Sequence, residues 1–347
     1  MAGVSTKTVS RVVNNQGEVS QDTRQRVEAA VRTLGYQPNA LARSLARRRT
    51  HTLAVVAWGL EYFGPSRTVI GSEQQCYEMG YSLLLQLLAR PDETRVSVPL
   101  NALIARRVDG IVWAVPEIGE NRAWIGHEQV GLLPPIVFLS SAARGDLSVV
   151  AVDNRLGGAY ATQHLIDQGR RRIGIITGPL AWWEARERHA GWEESLQRAG
   201  REASASLVAE GDWSAESGER GMRTLMARRP DVDAVFACND PMALGCLRVA
   251  QEAGRRVPQD LAVVGFDNTP DSAYFQPPLT SVFQPLVEVG RNAVLVLHAL
   301  IEAQQRGEDH TEEVAMLLKP ELVIRESSHS NVQPSLPSNS TEPSQGA

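Results

Sequence analysis

Thr6, Lys7, Ser10, Arg11 and Asn14 recur at a spacing that, on a helix, puts all five on one polar face. Val9, Val12 and Val13 then lie on the other. These residue types match the chemistry of a nucleic-acid surface. Arg or Lys can grip O6 and N7 of guanine, and Asn can pair with adenine. Hydroxyls can hold phosphates, which position a protein without reading sequence. Residues near the N-terminal end of such a helix can reach base edges in the major groove. The spacing by itself also fits a solvated helix face.

The elements that must carry these residues are short and helical. Thr6 to Val13 is expected as a helix, with Ser5 as N-cap and Asn14-Asn15-Gln16-Gly17 as its stop. Ser20 starts another, whose apolar stripe is Val27, Ala30, Val31 and Leu34, ended by Gly35. Pro38 stands before a third short helix, Asn39 to Ala46. Residues 1–50 hold nine basic side chains against three acidic ones, a net charge of +6, so the rest of the chain carries −11 of the overall −5. A basic head on an acidic body suggests an anionic partner at one end only, nucleic acid first among them. An ordinary solvated Arg run is the other reading of the charge.

Beyond residue 50 the pattern changes. Apolar runs at Thr52–Trp58, Ser82–Leu88, Gly110–Val115, Pro135–Ser140, Val149–Val152, Arg172–Thr177, Asp233–Cys238 and Leu261–Phe266 read as strands buried on both faces. Amphipathic helices between them, such as Ala185–Ala199 and Met242–Ala253, make βαβ units and parallel sheets. The fold class is therefore α/β, with a small helical head at residues 1–49 and a core at residues 50–326. That core is long for one sheet and fits two α/β subdomains around a cleft. From Ser327 to Ala347 the composition collapses to Ser, Pro, Asn, Gln and Gly without aromatics, so a disordered tail is expected.

The stretches "AGVSTKTVSRVVNN" and "VSQDTRQRVEAAVRTLGYQPNALARSLARRR" resemble the DNA-binding head of the LacI/GalR family of transcription regulators. The resemblance implies that Thr6 to Asn14 is the recognition helix and Asn39–Ala46 a hinge helix that enters the minor groove. It makes Ser5, Thr6, Lys7, Ser10, Arg11, Asn14, Tyr36, Asn39 and Leu45 the expected DNA-binding residues. Leu45 would wedge between base steps, an unstacking cost recovered through added contacts. Family heads carry a further short helix before "AGVS". This chain opens at Met1-Ala2-Gly3, so its head is expected without that helix.

The core also resembles the family, its lactose-repressor branch in particular. The matching pieces are "ARERHAGW" at 185–192, "GDWSAESG" at 211–218, "NDPMALG" at 239–245, "VVGFDN" at 263–268 and "PPLTS" at 277–281. They imply the fold of periplasmic sugar-binding proteins, closing on a small effector. A sugar needs bidentate carboxylates and amides, an Arg fork and an aromatic plate. Asn239 and Asp267 each follow an apolar strand, at the carboxyl ends where open α/β sheets bind ligands. By resemblance, Arg188, Trp213, Asn239 and Asp267 line the effector site, with Phe63, Trp113 and Trp182 as further apolar walls. Two polar sugar contacts of that branch are changed, since Ala114 and Ser140-Ser141 stand at their positions. A β-galactoside or a related glycoside is the expected effector.

Other classes fit less well. No GxGxxG after a strand and no Walker loop is present, and the histidines lack metal-like spacing, so neither an enzyme, a metal nor a cofactor is expected. Cys76, Cys238 and Cys246 form no disulfide framework. No apolar run is long enough to span a bilayer and no signal peptide is visible, which fits a cytoplasmic protein rather than a sugar-transport receptor. The alternative is a sugar-binding protein that does not bind DNA. Expected partners are operator DNA, a saccharide and a second copy of the chain, because a half-site reader needs a symmetric mate to span a palindrome.

Overall fold

The computed structural model describes residues 2–13, 17–36, 49–91, 96–125, 133–142, 147–308 and 314–329. The expected hinge helix with Asn39 and Leu45 lies outside the described residues, as does Asn14.

The head holds α1 (Thr6–Val13) and α2 (Gln21–Leu34). Ser5 caps α1, its Oγ accepting from the Thr8 N–H at 3.1 Å. Gly35 ends α2 in the left-handed region, where its N–H and that of Tyr36 reach back to Arg32 and Val31 carbonyls. The two helices pack together, α1 burying Val12 and α2 burying Val27.

The first subdomain begins with β1 (Thr52–Ala57), α3 (Phe63–Glu78), β2 (Ser82–Leu87), α4 (Ser97–Ala105), β3 (Gly110–Ala114), β4 (Ile136–Phe138) and β5 (Ser148–Val152). The chain then crosses into the second: α5 (Asn154–Asp167), β6 (Ile173–Thr177), α6 (Trp183–Arg198), β7 (Val208–Glu210), α7 (Ala215–Arg228), β8 (Ala234–Ala237), α8 (Asp240–Glu252), β9 (Ala262–Asp267) and β10 (Thr280–Phe283). It returns to the first for α9 (Leu286–Arg306) and β11 (Ala315–Leu318), and ends in the second with β12 (Glu321–Val323).

The two sheets run β11-β5-β4-β3-β1-β2 and β12-β10-β9-β8-β6-β7. All pairings are parallel except that of β12 with β10. Central strands buried on both faces explain the continuous apolar runs. In each sheet strand order reverses beside the first strand, between β1 and β3 and between β6 and β8. The crevice at such a switch point is where open α/β sheets take ligands. α9 covers the first sheet and packs on α3, and Gly290 allows this, since a Cβ there would overlap the Thr68 carbonyl.

The core extends past residue 326. Ser327 and Ser328 are buried, Ser327 Oγ donating to the Val263 carbonyl at 2.6 Å and accepting from the Thr280 N–H at 2.8 Å. Ser327 and Ser328 therefore belong to the core and not to the expected tail. Composition hid this, because serines that bond to strand ends read like serines of a linker. Residues 330–347 lie outside the described residues.

Candidate effector cleft and nucleic-acid interface

A cavity of about 380 Å³ opens between the two subdomains, at the carboxyl ends of both sheets. Arg188, Trp213, Asn239, Asp267, Phe63 and Trp182 all line it. Trp113 does not. It is buried on the other face of β3, against Trp124 and Phe138, while its neighbour Ala114 faces the cavity. Side chains alternate along a strand, and a strand buried on both faces gives no sign of which is which.

Arg188, on the second turn of α6, is the hub of the polar wall. Its Nε donates to Asn154 Oδ1 at 2.8 Å, Nη1 to the Cys238 carbonyl at 2.5 Å and Nη2 to Gln284 Oε1 at 3.5 Å. The guanidinium lies 3.8 Å from the centroid of Phe266 and 5.5 Å from that of Trp213. Gln284 turns its amide nitrogen to Asp267, donating to Oδ1 at 2.5 Å. Asn154 and Gln284 stand at two of the three places where the chain crosses between subdomains, so these two crossings are tied to Arg188.

Asp267 ends β9 with a φ of 105°, followed by Asn268 at 49°. Such strain persists only where the surroundings impose it. Here Asp240 does so from beneath, accepting from the Thr269 N–H at 2.7 Å and from Ser281 Oγ at 2.5 Å. Burial pushes the Asp267 carboxyl up to about 7, with Arg188 opposing the shift. Burial likewise pushes Asp240 up to about 6.

Asn239 caps α8, its Oδ1 accepting from the Met242 N–H at 2.8 Å, and its Nδ2 donates to the Trp213 carbonyl at 2.8 Å. Two of its bonds thus serve the fold, a role the strand-end position did not reveal. The Trp213 loop is held open to the cavity at a φ of 73°. Trp58, Tyr62, Trp182 and Trp213 form a chain of ring contacts, centroids 5.6 to 6.2 Å apart, with the first pair from one subdomain and the second from the other. The cavity thus has one polar and one aromatic side.

Sequence reasoning missed Gln284, Asn154, Trp183 and Glu184, all of which line the cavity. Glu184 precedes Arg188 by one helical turn, a spacing that marked it as facing the same way. Burial raises the Glu184 carboxyl above its usual range. Among the described residues, its Oε2 and the Trp213 Nε1 are buried without a hydrogen-bond partner. An acceptor and a donor left so are groups that a ligand can satisfy.

On the head, Ser5, Thr6, Lys7, Ser10 and Arg11 are exposed along α1, and Tyr36 is exposed just after α2. Val12 is buried and Val9 and Val13 are half-buried, so the polar face of α1 points away from α2.

The described residues thus form a two-lobed α/β core with a cleft, preceded by short helices of which α1 has a polar outer face. Residues 1–39 match the family model for bacterial regulatory proteins of the lacI family, and residues 162–328 match that of the periplasmic binding protein-like domain. The chain is 37% identical over 297 residues to the ribose operon repressor of Escherichia coli K12, covering 86% of this chain and 89% of that protein. Among solved structures it is similar to a CelR–cellobiose complex, with 36% identity, a TM-score of 0.72 and coverage of 94% and 97%. It is also similar to the Lac repressor dimer bound to operator and the anti-inducer ONPF, with 31% identity, a TM-score of 0.81 and coverage of 94% and 96%. The chain belongs to the lacI family of bacterial regulatory proteins. Among these relatives, identity is higher with the ribose repressor and CelR than with the lactose repressor. No helix among the described residues is long and apolar enough to cross a membrane.

Proposed function

We propose that this chain is a transcription repressor whose affinity for operator DNA is set by a saccharide in the interlobe cleft. The observation that carries the reading is the polar wall of Arg188, Gln284 and Asp267 beside an aromatic side built on Trp182 and Trp213. Asp267 accepts from sugar hydroxyls, Arg188 holds ring or hydroxyl oxygens, and the indoles cover the C–H face. Phe63 and Asn239 line the cleft as well. A cavity of about 380 Å³ has room for more than one ring, which suits a β-galactoside, a β-glucoside or another glycoside.

The DNA-facing residues are Ser5, Thr6, Lys7, Ser10, Arg11 and Asn14 on or beside α1, with Tyr36, Asn39 and Leu45 further along. The working unit is a homodimer. Exposed Ile70 and Tyr77 on α3 and Leu85 and Leu87 on β2, at the free edge of the first sheet, offer it an apolar face. Saccharide and operator binding are reciprocal, each changing the affinity for the other by one factor.

Calorimetry of the full chain against cellobiose, lactose, D-ribose, purines and amino acids tests the effector class, and selection from a random duplex pool tests the operator. Binding of a saccharide that shifts the affinity for the selected duplex is the expected result. If only a purine or an amino acid binds, the saccharide assignment is wrong and the repressor assignment stands. If no duplex is enriched, the repressor assignment is wrong.

A further inference from the structure

Where the chain enters the core, Arg49 is held by a cluster remote from the effector cleft. Its Nε lies 3.3 Å from Asp109 Oδ2, Nη1 lies 2.5 Å from Glu302 Oε1, and Nη2 donates to the Tyr81 hydroxyl. That hydroxyl also bonds His298 Nδ1 at 2.8 Å. Asp109 accepts in addition from the Thr50 N–H at 3.0 Å, the Thr50 hydroxyl at 3.0 Å and the His51 N–H at 2.9 Å. The Thr50 hydroxyl lies 2.7 Å from the Arg107 carbonyl as well. Arg49, assigned by sequence to the head, is thus part of the core.

Stability alone does not account for this cluster. The Arg49 and Asp109 side chains are only 14% and 9% exposed, and a buried ion pair is often no more stabilising than apolar residues of the same volume. What such a pair does provide is a fixed geometry. His51 and Arg107 hold φ values of 49° and 55°, strained for non-glycine residues and set side by side at this joint. Four chain segments converge there: the start of the core, the residue before β2, the residue before β3, and the later turns of α9. That helix starts two residues after Gln284 in the cleft and reaches Glu302 about 24 Å further on.

We propose that Arg49 is a positioning residue for DNA recognition. The clasp of Asp109, Glu302 and Tyr81 sets the direction in which the chain leaves the core toward the head, and so the spacing at which a dimer presents its two recognition helices. The inference rests on the operator-binding reading above.

The test uses the full chain and the duplex it selects from a random pool, with a random duplex of equal length as control. Removing a carboxylate makes the chain less anionic, which by charge alone tightens binding to any duplex. Glu302→Gln should nonetheless weaken binding to the selected duplex about tenfold, a coupling of the size seen between contacting charged groups, and leave random-duplex binding no weaker. Tyr81→Phe should move the same ratio in the same direction. Asp109→Asn removes several caps at once and can unfold the joint, so Glu302, on a partly exposed helix face, is the deciding position. A ratio of selected to random binding within twofold of the parent's in Glu302→Gln overturns the proposal. So does a ratio that falls only together with the melting temperature of the core. If the parent itself enriches no duplex, the operator reading falls and the clasp's role falls with it.

Discussion

The indole of Trp213 sits so close over Gly178 that a Cβ at position 178 would overlap its six-membered ring. The absence of a side chain at the end of β6 is therefore what lets Trp213 lie where it lines the cleft. Gly178→Ala should push the indole out of place, costing about 1–3 kcal/mol of stability. Affinity for the saccharide that the parent binds should fall by about tenfold, as contact with a ring face is lost. Calorimetry with parallel melting curves checks both. An unchanged affinity would show that the sugar does not rest on this ring.

Asp267→Asn separates charge from shape. The Asp267 carboxyl titrates at about 7 in the fold against 3.8 ordinarily. Between those values the folded state holds a proton that the unfolded chain has released, so stability falls as pH rises through that window. Asparagine carries no such penalty. The variant should melt several degrees higher than the parent at pH 8, with the difference gone by pH 4. Its saccharide affinity should drop by about 1.5–3 kcal/mol, the worth of a hydrogen bond to a charged group. A variant less stable than the parent at pH 8 contradicts the account.

Two residues on α1 should behave differently on DNA. Arg11→Ala should weaken binding to the selected duplex by about 1–3 kcal/mol and relax the preference at one base pair. Lys7→Ala, if Lys7 contacts phosphate, should weaken all duplexes alike and lower the salt slope by about one. Anisotropy titrations at several salt concentrations distinguish a base contact from a phosphate contact. Equal behaviour of the two variants would erase the division of labour assigned to this face.

Sedimentation should show a dimer that is unchanged by removal of residues 330–347. Cutting before Ser327 should differ sharply. It removes the bonds from Ser327 to Val263 and Thr280, and that from Ser328 to His164. The shorter form should melt well below the longer one. Equal melting temperatures would mean that these serines are not part of the core's stability.

Much of this arrangement was legible in the residues. Asn239 and Asp267 could be placed because an apolar strand followed by one polar residue marks a strand's carboxyl end. The polar face of α1 was legible because Val12 and the residues around it keep the helical period. Trp113 was misplaced because β3 is apolar on both faces and its alternation carries no contrast. Gln284 was invisible for another reason. Its importance comes from where the chain crosses between lobes, a property of topology that no local pattern records. Glu184 was within reach, one turn before Arg188, but an acidic residue near a helix start reads first as a partner for the helix dipole.

Neither lobe is made from one continuous stretch of chain. The first sheet lacks its β11 edge until residue 318 is in place, and the second awaits β12 at 321–323 and the buried Ser327 and Ser328. A nascent chain that has emerged as far as β10 thus holds two unfinished sheets, one missing α9 altogether and exposing the apolar face that the helix will cover. Native closure of both lobes waits until the chain has emerged as far as Ser328, a late window in which such exposed surfaces invite aggregation. The two lobes are completed almost together, whichever begins to fold first.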